Sequence, residues 1–133
     1  MNTDLQAAYE NTSYNVFDPP VSIRIGHRNT ELDALLERRS HEEWAFITAY
    51  NPFSEILSDL ENEERHHQLR KQIEQHSFFE GEGVGTNQSW KPERSFLILG
   101  ISETDAVKLG EDFQQNAIVV GRRKGQARLV LLK

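Results

Sequence analysis

At 133 residues and a formal net charge of −6, the chain is long enough for one cored domain and too short for two ordinary ones; its acidity opposes a large nucleic-acid footprint or an anionic membrane surface. Cysteine is absent, which excludes disulfide scaffolds, thiolate metal sites and thiol nucleophiles. The start MNTDLQAAYE has no basic segment followed by an apolar one, and the longest apolar run, FLILGI, falls well short of a membrane span, so a soluble cytoplasmic protein is expected.

Residues 1–12 read as a polar arm or short helix ahead of a single domain over residues 13–133. Tyr14 and Val16, then Val21, Ile23 and Ile25, alternate with polar neighbours as half-buried strands do, and Asp18-Pro19-Pro20 breaks them into two. Thr30 to Asp33 has the spacing of a helix start, and Leu32, Leu35 and Leu36 form its apolar stripe. Trp44 to Ala49 is apolar and strand-like, and Asn51-Pro52 ends it, because proline disfavours helical geometry in the residue before it. A helix follows from Ser54 or from the capping candidate Ser58-x-x-Glu61, running to about His76. FFEGEGVG reads as an irregular strand or flexible loop. SFLILGI has the length and continuous apolarity of a central strand. Ser102-x-x-Asp105 caps a helix carrying Ala106, Leu109 and Phe113, and AIVVG and ARLVLL form a C-terminal β-hairpin about Lys124-Gly125.

This order predicts an α+β single-domain sandwich with a mainly antiparallel or mixed sheet and helices on one face; a ferredoxin-like arrangement is one candidate for its central part.

Polar side chains gather at three places where apolar elements end. Thr48, Tyr50 and Asn51 close the first long strand. Asn62, Arg65, His66, Leu69, Ile73 and His76 share one face of the long helix, so an inward Asn and Arg need partners, because unpaired burial is costly. Trp90, Glu93 and Ser95 precede SFLILGI, with Glu93 and Ser95 on one face and Arg94 on the other. Glu93 fits a general acid or base, a cation ligand or an ion-pair partner for Arg65. Gln114-Gln115-Asn116 can supply a left-handed helix cap at Asn116 or an amide toward a ligand at Gln115. The Gly81 to Gly85 run lacks phosphate-loop spacing, and the five histidines show no metal-binding pattern.

"TAYNP", "ENEER", W-x-x-E-R-S-F-L-I-x-G-I and F-x-Q-N-A-I-V, in this order between about Tyr9 and Leu131, resemble the bacterial proteins grouped as domain of unknown function family 3293. The resemblance implies no activity or cofactor. It implies recurring polar positions at Thr48, Asn51, Asn62, Arg65, Trp90, Glu93, Ser95 and Gln115.

The leading expectation is a small-molecule or peptide pocket at strand ends, with Glu93 as acid, base or cation partner, Arg65 as anion anchor, and Asn51 and Gln115 as orienting amides. An interaction or regulatory module whose polar cluster is structural is the alternative. A third is phosphate binding through Arg122, Arg123, Lys124 and Arg128. Catalysis, cofactor and oligomeric state stay open.

Overall fold

The computed structural model describes residues 3–87 and 89–132. Its strands are β1 (Ser13–Val16), β2 (Val21–Ile23), β3 (Glu43–Thr48), β4 (Ser77–Val84), β5 (Glu93–Leu99), β6 (Ala117–Arg122) and β7 (Arg128–Leu131); its helices are α1 (Thr3–Glu10), α2 (Thr30–Arg38), α3 (Asp59–Gln72) and α4 (Glu103–Asp112). The class is α+β. All strands join one antiparallel sheet in the order β2-β1-β4-β5-β3-β6-β7. Its central part, β3-α3-β4-β5-α4-β6, has the strand order β4-β5-β3-β6, which is the ferredoxin-like βαββαβ arrangement.

The sheet curls until its ends meet. Beyond β2, Ile25 bridges Ala127 beside β7, and the Gly26 amide donates to the Ala127 carbonyl at 2.8 Å. Residues from both ends of the sheet therefore share one inner cluster: Tyr14, Val16, Val21 and Ile23 with Trp44, Phe46, Leu97, Leu99, Val119 and Ala127. The alternate positions Ala45, Ile47, Phe96, Ile98, Ile118 and Val120 form the outer cluster, as the two-residue period of a strand requires. β3 and β5 are thus covered on both sides, which is why their sequences are continuously apolar.

The helices divide between these faces, which corrects the expected one-sided arrangement. Leu32, Leu35 and Leu36 of α2 enter the inner cluster, whereas Leu69 of α3, Ile73 just beyond it and Ala106 of α4 pack on the outer one. Leucine spacing alone cannot say which side of a curled sheet a helix covers. α2 closes the end where β4 begins: Asp33 Oδ1 accepts from the Lys124 amide at 2.7 Å, and Arg39 Nη1 reaches Ser77 Oγ at 3.5 Å.

The helix starts follow the sequence closely. Ser58 and Glu61 form a reciprocal capping box, Ser102 accepts from the Asp105 amide, and Asn29 rather than Thr30 caps α2. α3 ends at Gln72, short of His76. The left-handed residue after α4 is Gln114, with φ +58°, not Asn116, and the Gln115 amide bonds back to the Gly110 carbonyl, a Schellman-type closure. FFEGEGVG, expected as an irregular strand or loop, is strand β4 up to Val84, paired with β5 over residues 77–83 and with β1 over residues 81–84.

Candidate functional site

Successive rows of the inner face change character along the strands. Phe46 pairs with Leu97, and Leu97 with Phe79; this row is filled by large apolar side chains. One inward step further, Thr48 pairs with Ser95 and Ser95 with Gly81; beyond that, Glu93 pairs with Gly83 and Gly83 with Tyr14. Small and polar residues thus replace large ones at the end opposite α2. The space they leave is a cavity of about 320 Å³, roofed by Leu5, Ala8 and Tyr9 of α1 and flanked by Trp90.

The glycines of β4 act differently. A Cβ on Gly81 would lie 2.3 Å from the Asn15 carbonyl oxygen, so β1 can approach only because that position is glycine. A Cβ on Gly83 would meet Thr12 and Tyr14 at ordinary distances of 3.7 to 3.9 Å; its absence leaves room in the cavity wall.

Among the described residues, Glu93 is the only charged side chain lining the cavity. Its Oε2 accepts from Asn51 Nδ2 at 2.8 Å and from Trp90 Nε1 at 3.3 Å. Burial pushes its carboxyl above the ordinary range, and these two bonds pull it back only in part. Burial likewise raises Tyr9, with the nearby Glu93 charge adding to the effect, and raises Tyr14, so both phenols stay neutral. The two hydroxyls of the inner wall donate to backbone: Thr48 Oγ1 to the Arg94 carbonyl at 2.6 Å, and Ser95 Oγ to the Glu93 carbonyl at 2.9 Å. Gln115 Nε2 donates to the Tyr50 and Phe113 carbonyls, each at 3.1 Å.

Of the nine sequence-derived candidates, Thr48, Trp90, Glu93, Ser95 and Gln115 line the cavity, whereas Tyr50, Asn51, Asn62 and Arg65 stand behind its wall. Asn62 is buried and bonded reciprocally to Asn51. Asn51 Oδ1 also takes the Leu57 amide at 3.0 Å. Arg65, expected as an ion-pair partner of Glu93, does not bond it; Glu93 is held by Asn51 and Trp90. Arg65 Nε donates to the Ala49 carbonyl at 2.6 Å, Nη1 to Gln114 Oε1 at 3.2 Å, and Nη2 to the Phe113 carbonyl. It ties the end of β3 to the end of α4. Tyr50 turns outward, donating its hydroxyl to Glu63 Oε1 at 2.8 Å.

The turn between β3 and α3 holds three non-glycine residues at positive φ: Asn51 (+47°), Phe53 (+50°) and Ser54 (+63°). Such geometry is costly for a bulky residue and persists only where its surroundings impose it. Here the Phe53 amide bonds to the Gln114 carbonyl at 2.7 Å and Asn116 Nδ2 to Ser54 Oγ at 2.9 Å, which places Ser54 in the cavity lining.

Sequence reasoning missed Tyr9, Tyr14, Phe46, Ser54, Gly83 and Val119 of the lining. The signal for Gly83 was present: glycines at every second position of a paired strand mark one face held free of side chains.

A separate polar cluster lies outside the cavity on the α3 side. His66 is stacked on Phe96 with centroids 4.2 Å apart, and its Nε2 is 3.0 Å from Glu80 Oε1, which also accepts from Arg94 Nη2 at 2.8 Å. Burial lowers the His66 pKa, with Glu80 opposing. Burial pushes Glu80 up, but Arg94 and His66 outweigh it and leave the carboxyl below its usual range.

Fold and site together define an α+β domain whose curled antiparallel sheet holds, at one end, a cavity lined by the Glu93 carboxylate. The family model described as a protein of unknown function (DUF3293) matches residues 47–118, more than half of the chain, and the chain belongs to that family. The match spans all nine candidate residues. No curated protein and no solved structure matches the chain. Among the described residues, no helix is long and apolar enough to cross a membrane.

Proposed function

We propose that this chain binds a small molecule in the cavity at the open end of its curled sheet, with Glu93 as the central polar contact. One observation carries the reading: a half-buried carboxylate in the cavity wall, held by Asn51 and Trp90 yet without a cationic partner among the described residues. Leaving a charge without a partner is costly, and a fold with no use for one would place an amide or an apolar group there. The cavity volume falls at the lower end of the range of ligand pockets, and its combination of apolar walls with a few convergent polar groups fits such a site. In this reading Thr48, Ser95, Gln115 and Trp90 contact the ligand, while Asn51, Asn62 and Arg65 position the wall. Any acid–base step at the site would run through Glu93, the lining carboxyl that burial raises above its ordinary range.

The test is the shift in thermal unfolding across nucleotides, amino acids, sugar phosphates, amines and divalent cations. A ligand at about a hundred times its dissociation constant adds roughly 2.7 kcal/mol, a shift of several degrees for a domain of this size. A hit that Gly83→Val abolishes, with an intact fold, supports the cavity; a flat panel overturns it.

A second reading, a protein-interaction module, is favoured by Ile56 and Leu60, which are 74% and 82% exposed beside the start of α3. Ile56→Ser with Leu60→Ser would then abolish association without altering small-molecule binding. Phosphate binding through the hairpin has no such support: Arg122 meets Glu43, Arg123 meets Glu42 and Arg128 meets Glu103.

A further inference from the structure

We propose, resting on the reading of the cavity as a small-molecule site, that its ligand is an organic ammonium compound: the nitrogen meets Glu93 and Gln115, and an apolar or aromatic body lies against Phe46, Tyr14 and Trp90. The argument comes from which hydrogen-bonding capacity the protein has already used. Glu93 Oε2 carries both bonds to that carboxylate; Oε1 has no partner among the described residues and is not sealed from the cavity. The Gln115 amide is oriented by its two carbonyl acceptors, since only Nε2 can donate to them, so its Oε1 is left as an acceptor. Thr48 and Ser95 have turned their hydroxyl hydrogens to backbone carbonyls, and offer only lone pairs.

Around Glu93 the inner wall therefore presents acceptors. A carboxylate, phosphate or sulfate placed there would meet the Glu93 charge, with the donors of Thr48, Ser95, Gln115 and Trp90 already committed. An ammonium group supplies donors and the missing countercharge together, and charge-assisted bonds of this kind are the stronger class. The rings of Phe46, Tyr14 and Trp90 in the lining add surfaces that attract cations. A metal ion suits the site less well: among the described residues no group of three or more His, Cys, Asp or Glu could hold one.

Binding should also move a proton. Burial favours the neutral acid in the free protein, and a bound cation favours the carboxylate, so affinity for an ammonium compound should rise with pH as Glu93 ionises. Among the described residues, Tyr9 from α1 and Tyr14 from β1 are the other titratable groups facing the cavity, and burial raises both so that they stay neutral.

The experiment titrates the full chain with phenethylamine and tryptamine, their alcohols phenethyl alcohol and tryptophol, and the acids hydrocinnamate and indoleacetate, following the Trp90 indole N–H resonance. The amines should bind at least about tenfold more tightly than their alcohols, with affinity rising from acid to neutral pH. Glu93→Gln, which keeps one acceptor oxygen for Asn51 and Trp90 and replaces the charged oxygen by an NH2 donor, should bring amine affinity down to that of the alcohols or below. If alcohols or acids bind as well as amines, or Glu93→Gln leaves the preference intact, the ammonium assignment fails and the cavity reading stands. If no probe moves Trp90 at millimolar concentration, both fail together.

Discussion

Asn62 Nδ2 donates to Asn51 Oδ1 at 2.9 Å while Asn62 Oδ1 accepts the Asn51 backbone amide at 2.9 Å, so the buried helix side chain grips the left-handed turn residue from both sides. Asn51 then uses its own Nδ2 on Glu93. The grip fixes the carboxylate from a distance. Asn62→Ala leaves the Asn51 backbone N–H without its acceptor and takes one of the two donors from Asn51 Oδ1, which keeps the Leu57 amide; the loss costs about 1–3 kcal/mol. Urea unfolding should show a midpoint fall of that size with an unchanged slope. An unchanged midpoint would remove the grip as an element of stability.

Arg65 gives a second test of the wall. Its fork spans the Ala49 and Phe113 carbonyls, from the end of β3 to the end of α4, and a lysine ammonium cannot reproduce that planar geometry. Arg65→Lys should lower stability by about 1–2 kcal/mol. The cavity probes should bind Arg65→Lys with near-normal selectivity among charged and neutral ligands, because the guanidinium does not line the cavity. A selective loss of anionic ligands would return Arg65 to the role of anion anchor.

The outer His66–Glu80–Arg94 cluster predicts an acid limb of the stability curve. Burial lowers the His66 pKa in the folded state, so below an unfolded histidine pKa of about 6.5 the unfolded chain binds the proton more tightly. Stability is then lost as pH falls through that value toward the folded pKa. Glu80, held below its usual range by Arg94 and His66 against the effect of burial, loses its contribution at lower pH still. His66→Phe keeps the ring against Phe96 but has nothing to protonate. Its stability should vary less with pH between about 5 and 7 than that of the natural chain; an equal slope would assign the acid limb to other groups.

The amino-acid pattern disclosed the strands, the helix starts and five of the cavity residues, for physical reasons that differ. SFLILGI and WAFIT are continuously apolar because both their faces are buried, and the Ser58 box is a local hydrogen-bond pattern that needs no tertiary information. Glu93 and Ser95 were placed on a common face by strand alternation alone. What stayed hidden depends on curvature. Only the curl of the sheet separates an inner from an outer side, sends α2 to one and α3 to the other, and brings Tyr14 and Val119 into one lining. Arg65 looked like a ligand-binding cation because sequence shows a charge on an apolar face but not the bare carbonyls at two element ends that receive it.

Glu93 offers the most discriminating measurement in the free protein. Burial raises its folded pKa above the unfolded value of about 4.3. Below that unfolded value both states are protonated and folding pays no charge penalty. As pH rises through the window between the unfolded and folded values, the unfolded chain ionises first, so stability falls and then levels off. Glu93→Gln retains an acceptor for Asn51 Nδ2 and Trp90 Nε1 and removes the titration. The natural chain and the variant should therefore match most closely at acid pH, with the variant gaining relative stability as pH rises past the carboxylate range. Urea midpoints at a series of pH values from acid to mildly alkaline read this directly. A purely structural network around Glu93 would give a loss in the variant that grows with pH, since the charged carboxylate would be the form its partners favour; a gain that grows with pH marks a carboxylate whose countercharge is supplied from outside the chain.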